Sequence, residues 1–457
     1  MRIFRTASAV LVVLMLTTAP ASAQHAQPTE STQANPASAE ARRADIAAFR
    51  EHFMDHDIAL SGDARAEAER RLAALESNAA GVTQVYFELE LSRIVALADN
   101  GHSAYFPGPR SRRFNRIDEV RFSPLGEGFY VLRANPAHAD LLGARLIAID
   151  GHPITQVRAA ARTLAGGANP WRDRSAAYFF ESPEQMEALD VIANANRATY
   201  RFQLTNGRSV IRRFTPEPAN PDRVRGNPDR WFYPAPEEGE GDNWRALLSQ
   251  EQAPWSLQEP ERAFRMRDAP EIDAYWIELR QNNSSDDTDI AEFMLDSLEA
   301  ARTSGRHNIV LDMRMNGGGD LNTTRAWVRR LPRVASGRVF VLTSPWTFSA
   351  AISTIGYLKQ SAPDRVTIVG EMVGDRLDFF AEGGVFNLPN SGGAVLPATE
   401  RHDYRTGCRN IENCHSSVVR HPIAVDSLAP DISAPWTIEA YRAGRDPALD
   451  AIAAALR

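Results

Sequence analysis

Lysine is almost missing from this chain of 457 residues: Lys359 stands alone, although arginine is abundant. Arginine cannot serve as a base near neutral pH, so a hydrolase of the serine–lysine kind would have to use Lys359. Cysteine is nearly as scarce, with Cys408 and Cys414 six positions apart. In an exported chain such a pair is first read as a local disulfide. Zinc is the rival, because His402 and His415 flank the pair, but the spacing fits none of the usual Cys/His ligand patterns, so no metal is expected. Positive charge is not in excess either. The formal net charge is −7, which argues against a nucleic-acid partner.

The one apolar run near the N-terminus, Val10 to Leu16, is too short to span a bilayer. Arg2 and Arg5 precede it and Ala21-Ser22-Ala23 follows it, the pattern of a secretory leader cleaved after Ala23. The mature chain is therefore expected in the periplasm or outside the cell, without a membrane span. Losing the leader removes two arginines and no acid, leaving −9.

Residues 24–40 are Ala/Ser/Gln/Pro-rich and read as a disordered linker. Residues 41–117 form an N-terminal region whose apolar residues recur at helical spacing up to about residue 98. Its last helix is expected to stop at Asn100-Gly101, which leaves His102 and Ser103 in a loop just beyond it. Residues 118–213 turn to short strands such as FYVLRA, RLIAIDG and YRFQL, with one helix, TQVRAAARTLAGG. Residues 214–268 are rich in Pro, acids and Trp and read as a linker or covering loop. From 269 to 457 strands and helices alternate: AYWIELR, DIAEFMLDSLEAARTS, HNIVLDMR, LNTTRAWVRRL, VFVLTS, SAAISTIGYLKQ and RVTIVGE. The fold class is α/β, a sheet with helices packed on it, and reactive groups are expected at the carboxyl ends of its strands.

Two strand ends carry the chemistry. Asn316-Gly317-Gly318-Gly319 is a turn where backbone can approach a ligand closely. Ser349 stands where a strand gives way to a helix, with the N–H of Ala350 at the helix N-terminus. A hydroxyl and free N–H groups are half of a serine hydrolase. The hydroxyl needs a base. Lys359 is ten positions on along the same helix, roughly 15 Å away along the axis, and out of reach. Among the histidines His102 has the best local logic: Gly101 leaves room beside it and Ser103 offers a hydroxyl to orient it.

In this order the parts resemble the C-terminal processing, or tail-specific, serine peptidases, and in particular the branch that includes the tricorn core protease. The matching segments are Asp99-Asn100-Gly101-His102-Ser103, GARLIAIDGHPI, Asp312 through Gly319, Ser349-Ala350-Ala351-Ile352, Gly370-Glu371 and Pro430-Asp431, spread over residues 85–457. The resemblance implies a crotonase-like ββα core and a PDZ-like module, with GARLIAIDGHPI the match to the latter. It implies Ser349 as nucleophile, His102 as base, Ser103 and an acid as orienting groups, and backbone N–H donors at Gly318, Gly319 and Ala350. Glu412 is the expected acid and Glu400 the runner-up. Two departures stand out. The lysine branch carries Lys shortly after the Gly-Glu strand end, where this chain reads MVGDRLDFF, and the Glu expected after Ser-Ala-x is Ile352. The implied activity is hydrolysis of peptide or protein substrates without a cofactor, with self-association left open. The alternatives are an exported peptide-binding protein on a degenerate peptidase scaffold and an acyl hydrolase of non-peptidic substrates.

Overall fold

The computed structural model describes residues 38–108, 114–126, 128–218, 232–235, 240 and 243–457. The leader and most of the 24–40 linker lie outside the described residues.

The sheet that carries the two motif turns has six strands: β1 (Phe264–Ala269), β2 (Ala274–Leu279), β3 (Asn308–Asp312), β4 (Val339–Thr343), β5 (Val366–Gly370) and β6 (Ile432–Ser433). They lie in the order β6-β5-β4-β3-β2-β1. Only the β1–β2 pair is antiparallel. Every residue of β3 and β4 is buried, as expected of parallel strands covered on both faces. Alternate residues serve two cores, because side chains along a strand point to opposite faces. Ile277, Ile309, Leu311, Val339, Val341 and Ile368 pack under helices α1 (Ile290–Thr303) and α2 (Ala350–Ser361). Trp276, Val310, Phe340, Leu342 and Val369 face the C-terminal helix α3 (Pro447–Ala455) through Ala448 and Ile452.

Register brings the chemistry to one edge. Asp312 lies opposite Leu342, and Thr343 opposite Gly370. The segments leaving β3, β4 and β5 therefore emerge side by side at the carboxyl ends, the place expected for reactive groups.

A second sheet, with strands Val120–Leu125, Gly128–Ala134, Arg145–Ile149, Thr199–Gln203 and Ser209–Arg213 at its centre, is antiparallel and has its own core with helices Ile154–Ala161 and Asn169–Phe180. The N-terminal helices Ala39–Phe49, Gly62–Ser77 and Gln84–Val95 form a core of their own, which also takes in Leu388 and Val395 from far along the chain.

The structure departs from the sequence reading in three places. The stretch 321–331 is not one helix. It breaks into Arg325–Val328 and Leu331–Val334, because Pro332 has no N–H to donate and its ring crowds the preceding turn. β1 falls inside the stretch read as linker. Its charges disguised it, but Arg265 is buried and donates to Glu278 Oε2 at 2.6 Å. The stop before the His loop is made by Asp99, whose φ is 48°, one residue before Asn100. Asp tolerates this left-handed conformation better than most side chains.

Candidate active site

The strand-to-helix turn after β4 is built around Ser349. Its backbone, at φ 55° and ψ −128°, lies where side chains are rarely tolerated, and strain of this kind costs about 1–3 kcal/mol. A serine opening a helix ordinarily caps it. Here the Ser349 side chain makes no capping hydrogen bond, so its hydroxyl is not spent on the helix. A strained strand-to-helix turn that presents a serine is the geometry of a nucleophile elbow.

The glycine turn is pressed against this elbow by two asparagines. Asn316 Nδ2 donates to Asn282 Oδ1 at 3.0 Å, and Asn282 Nδ2 donates to Ala350 O at 3.0 Å. The Phe348 N–H donates to Asn316 O at 3.0 Å. Thr347 Oγ1 completes the link by donating to Met313 O at 2.9 Å. The approach is so close that a Cβ on Gly318 would lie 2.6 Å from Ser349 Cβ and 3.0 Å from Ala350 N. Gly318 also has φ 108°, so Gly318→Ala is expected to cost roughly 2 kcal/mol or more of stability, read by denaturant unfolding.

The three candidate oxyanion donors are not alike. The Gly318 N–H already donates to Asn316 Oδ1 at 2.9 Å. The N–H groups of Gly319 and Ala350 have no acceptor among the described residues. The buried side chain of Ile352 fills the position after Ser-Ala-Ala in the core beneath α2, where a carboxylate would be desolvated.

His102 sits between two phenylalanines. Its ring stacks on Phe348, the residue before Ser349, at 4.3 Å, and on Phe379 at 4.8 Å. The loop is clamped on both sides. The Asn100 carboxamide exchanges two hydrogen bonds with the Phe380 backbone, at 2.9 and 3.1 Å. Arg376 donates to Asp99 O at 2.6 Å and to its carboxylate at 2.8 Å, and Arg172 pairs with the same carboxylate. Both ring nitrogens of His102 are buried without a hydrogen bond among the described residues. The nearest carboxylate is Asp375, whose Oδ2 lies 3.3 Å from His102 Nδ1, within ion-pair range but outside hydrogen-bond alignment.

Ser103 is buried, and its hydroxyl donates to Asp57 Oδ2 at 2.6 Å while accepting from Asn100 Nδ2 at 3.0 Å. It braces the loop rather than touching the His102 ring. Glu412 is exposed in the loop closed by the Cys408–Cys414 disulfide, with its own N–H held by Asn410. Glu400 Oε2 lies 4.0 Å from His415 Nε2. Lys359 donates to Val366 O at 3.0 Å and lies 3.3 Å from Asp431, at the amino end of β5 and away from the elbow. His307 pairs with Asp273 at 2.6 Å, also at the amino ends of the strands.

Beyond Phe379 the stack continues through His402 at 5.0 Å to His415 at a further 5.1 Å. Burial lowers the pKa of His402, opposed by Glu382 at 3.5 Å. Sequence reasoning missed Asp375, Asn282 and the two phenylalanines. The signal for Asp375 lay in MVGDRLDFF, a stretch read only for its missing lysine.

The mixed α/β fold is shared with solved structures. Mature CPAF complexed with lactacystin matches it with a TM-score of 0.57 at 15% identity, covering 91% of this chain and 98% of that one. A second structure of mature CPAF gives 0.54 at 13%, covering 90% and 96%. The tricorn protease also matches, at 0.38 and 13% identity over 91% of this chain and 37% of its own. No family model and no curated relative matches the sequence.

Proposed function

We propose that this chain is an exported serine peptidase with Ser349 as nucleophile and His102 as general base. The observation that carries the reading is the strained Ser349 elbow, its hydroxyl unused by the helix and the N–H groups of Gly319 and Ala350 without acceptors among the described residues. Ser349 attacks the carbonyl carbon of a peptide bond as His102 takes its proton. The negative charge on the former carbonyl oxygen is met by the N–H groups of Ala350 and Gly319. Gly318 supplies the close approach and stands as the third candidate donor, available once Asn316 releases its N–H. One such donor is worth about 3–4 kcal/mol of barrier. His102 then protonates the leaving amine, and water hydrolyses the acyl-enzyme by the same route in reverse. Ser103 holds the loop that carries His102. The disulfide fits an oxidising compartment, and no helix among the described residues is long and apolar enough to cross a membrane.

The test is intact-mass analysis after treatment with a fluorophosphonate. One adduct, mapped to Ser349 and lost in both Ser349→Ala and His102→Ala, is the expected result. Equal labelling of wild type and Ser349→Ala rules out the nucleophile.

A further inference from the structure

We infer that Asp375 is the carboxylate that orients His102, from a segment other than those carrying Glu412 and Glu400; the inference rests on the serine peptidase reading above. Asp375 is a buried acid with one oxygen used and one spare. Oδ1 accepts the Arg376 N–H at 2.8 Å. Oδ2 is buried and has no hydrogen-bond partner among the described residues. A buried carboxylate oxygen left unpaired is costly, and here it lies 3.3 Å from a ring nitrogen of His102 that is equally buried and equally unpaired. A small rotation of the imidazole satisfies both.

The chain is shaped to permit this approach. A Cβ on Gly101 would lie 3.0 Å from Asp375 Oδ2 and 3.0 Å from the Phe348 ring. A Cβ on Gly374 would lie 2.4 Å from Pro345 O, so the Asp375 loop can press on the elbow only because that residue is glycine. The Gly374 N–H donates to Thr347 O at 2.9 Å and fixes the loop there. The Asp375 loop is thus fixed to the segment that carries Ser349, and its Arg376 side chain holds Asp99 of the His102 loop. The other carboxylates are engaged elsewhere: Glu382 faces His402, Glu400 faces His415, and Glu412 is exposed. MVGDRLDFF, the stretch where the lysine branch carries its base, here supplies an acid to a histidine instead. With Oδ2 accepting from Nδ1–H, the other ring nitrogen, Nε2, is left with its lone pair free for the serine proton. Asp375 is a positioning residue, because it acts through His102.

Two measurements test the assignment. The first needs no variant: the ring-nitrogen chemical shifts of His102 in isotope-labelled wild-type protein, assigned against His102→Ala. The expected signature is a proton on Nδ1; a proton on Nε2 alone overturns the inference, whether or not Ser349 is reactive. The second compares fluorophosphonate labelling of Asp375→Asn, Glu412→Gln and Glu400→Gln. Asp375→Asn should lower the maximal rate of labelling about 10²–10⁴-fold, with the half-saturating probe concentration and the melting temperature unchanged. The two glutamine variants should label like wild type. Wild-type labelling by Asp375→Asn, with loss in either glutamine variant, returns the role to that glutamate. Absence of any wild-type adduct at Ser349 would instead count against the peptidase reading.

Discussion

Ser349→Gly should give a protein that is inert and more stable than the wild type. Loss of a nucleophile that works as a unit with its base typically costs about 10⁴–10⁶-fold in rate. The stability gain comes from the backbone. Glycine adopts positive φ without penalty, so relief of about 1–3 kcal/mol of strain is set against roughly 0.5–1 kcal/mol for the greater freedom of glycine in the unfolded chain. The net gain is on the order of 1 kcal/mol. Ser349→Ala is the control: it removes the same hydroxyl but keeps a Cβ at φ 55°, so it should lose activity without gaining stability. Thermal melts of the three proteins check this. A Gly variant no more stable than the Ala variant would mean that the elbow is not strained.

Arg314→Met should be among the most destabilising single substitutions in the molecule. Arg314 is buried at the end of β3 and donates to Asp312 at 2.6 and 3.0 Å and to Asp446 at 2.9 Å twice. Asp446 caps α3 and accepts from Ser256 at 2.6 Å, so one guanidinium ties the glycine turn to the C-terminal helix. Removing it leaves two carboxylates buried without their cation, at a cost of about 3–5 kcal/mol. The pH dependence follows. Burial by itself raises the Asp446 carboxyl, but the Arg314 charge and hydrogen bonds outweigh it and hold the group below its ordinary value. A depressed carboxylate contributes stability above its unfolded pKa of about 3.9, and that contribution is lost as pH falls through the folded value. Without Arg314 burial dominates and the folded pKa rises, so the variant's deficit should be largest near neutral pH and shrink on acidification. Urea denaturation at the two ends of that range reads the difference. A deficit that does not change with pH would show that lost packing, not charge, is the cause.

The sequence carried the local features of the site well and the distant ones poorly. β3 and β4 were legible because buried parallel strands are uninterrupted apolar runs. The glycine turn and Ser349 were legible because each lies within a few residues of its strand. Lys359 could be set aside by helix geometry, and it lies at the far end of the sheet. What was hidden depends on contacts between remote segments. Asp375 lies beside His102 in the folded chain, where Asn100 also pairs with Phe380, and no periodicity encodes that meeting. The stack on either side of His102 was invisible for the same reason: Phe348 stands in the turn before Ser349 and Phe379 in the strand Asp378–Ala381. β1 was hidden by its arginines, since a buried ion pair between neighbouring strands looks like a solvated stretch when read one residue at a time.

The separation between Asn100 and Phe380 has a consequence for the life of the chain. The base loop is emitted early, and the strand that clamps it comes 280 residues later. A growing polypeptide therefore lacks the clamp on its His102 loop until Phe380 has been made. On the proposed reading, the long-range closure works as a timer: the blade stays sheathed by incompleteness until that late segment has arrived and folded.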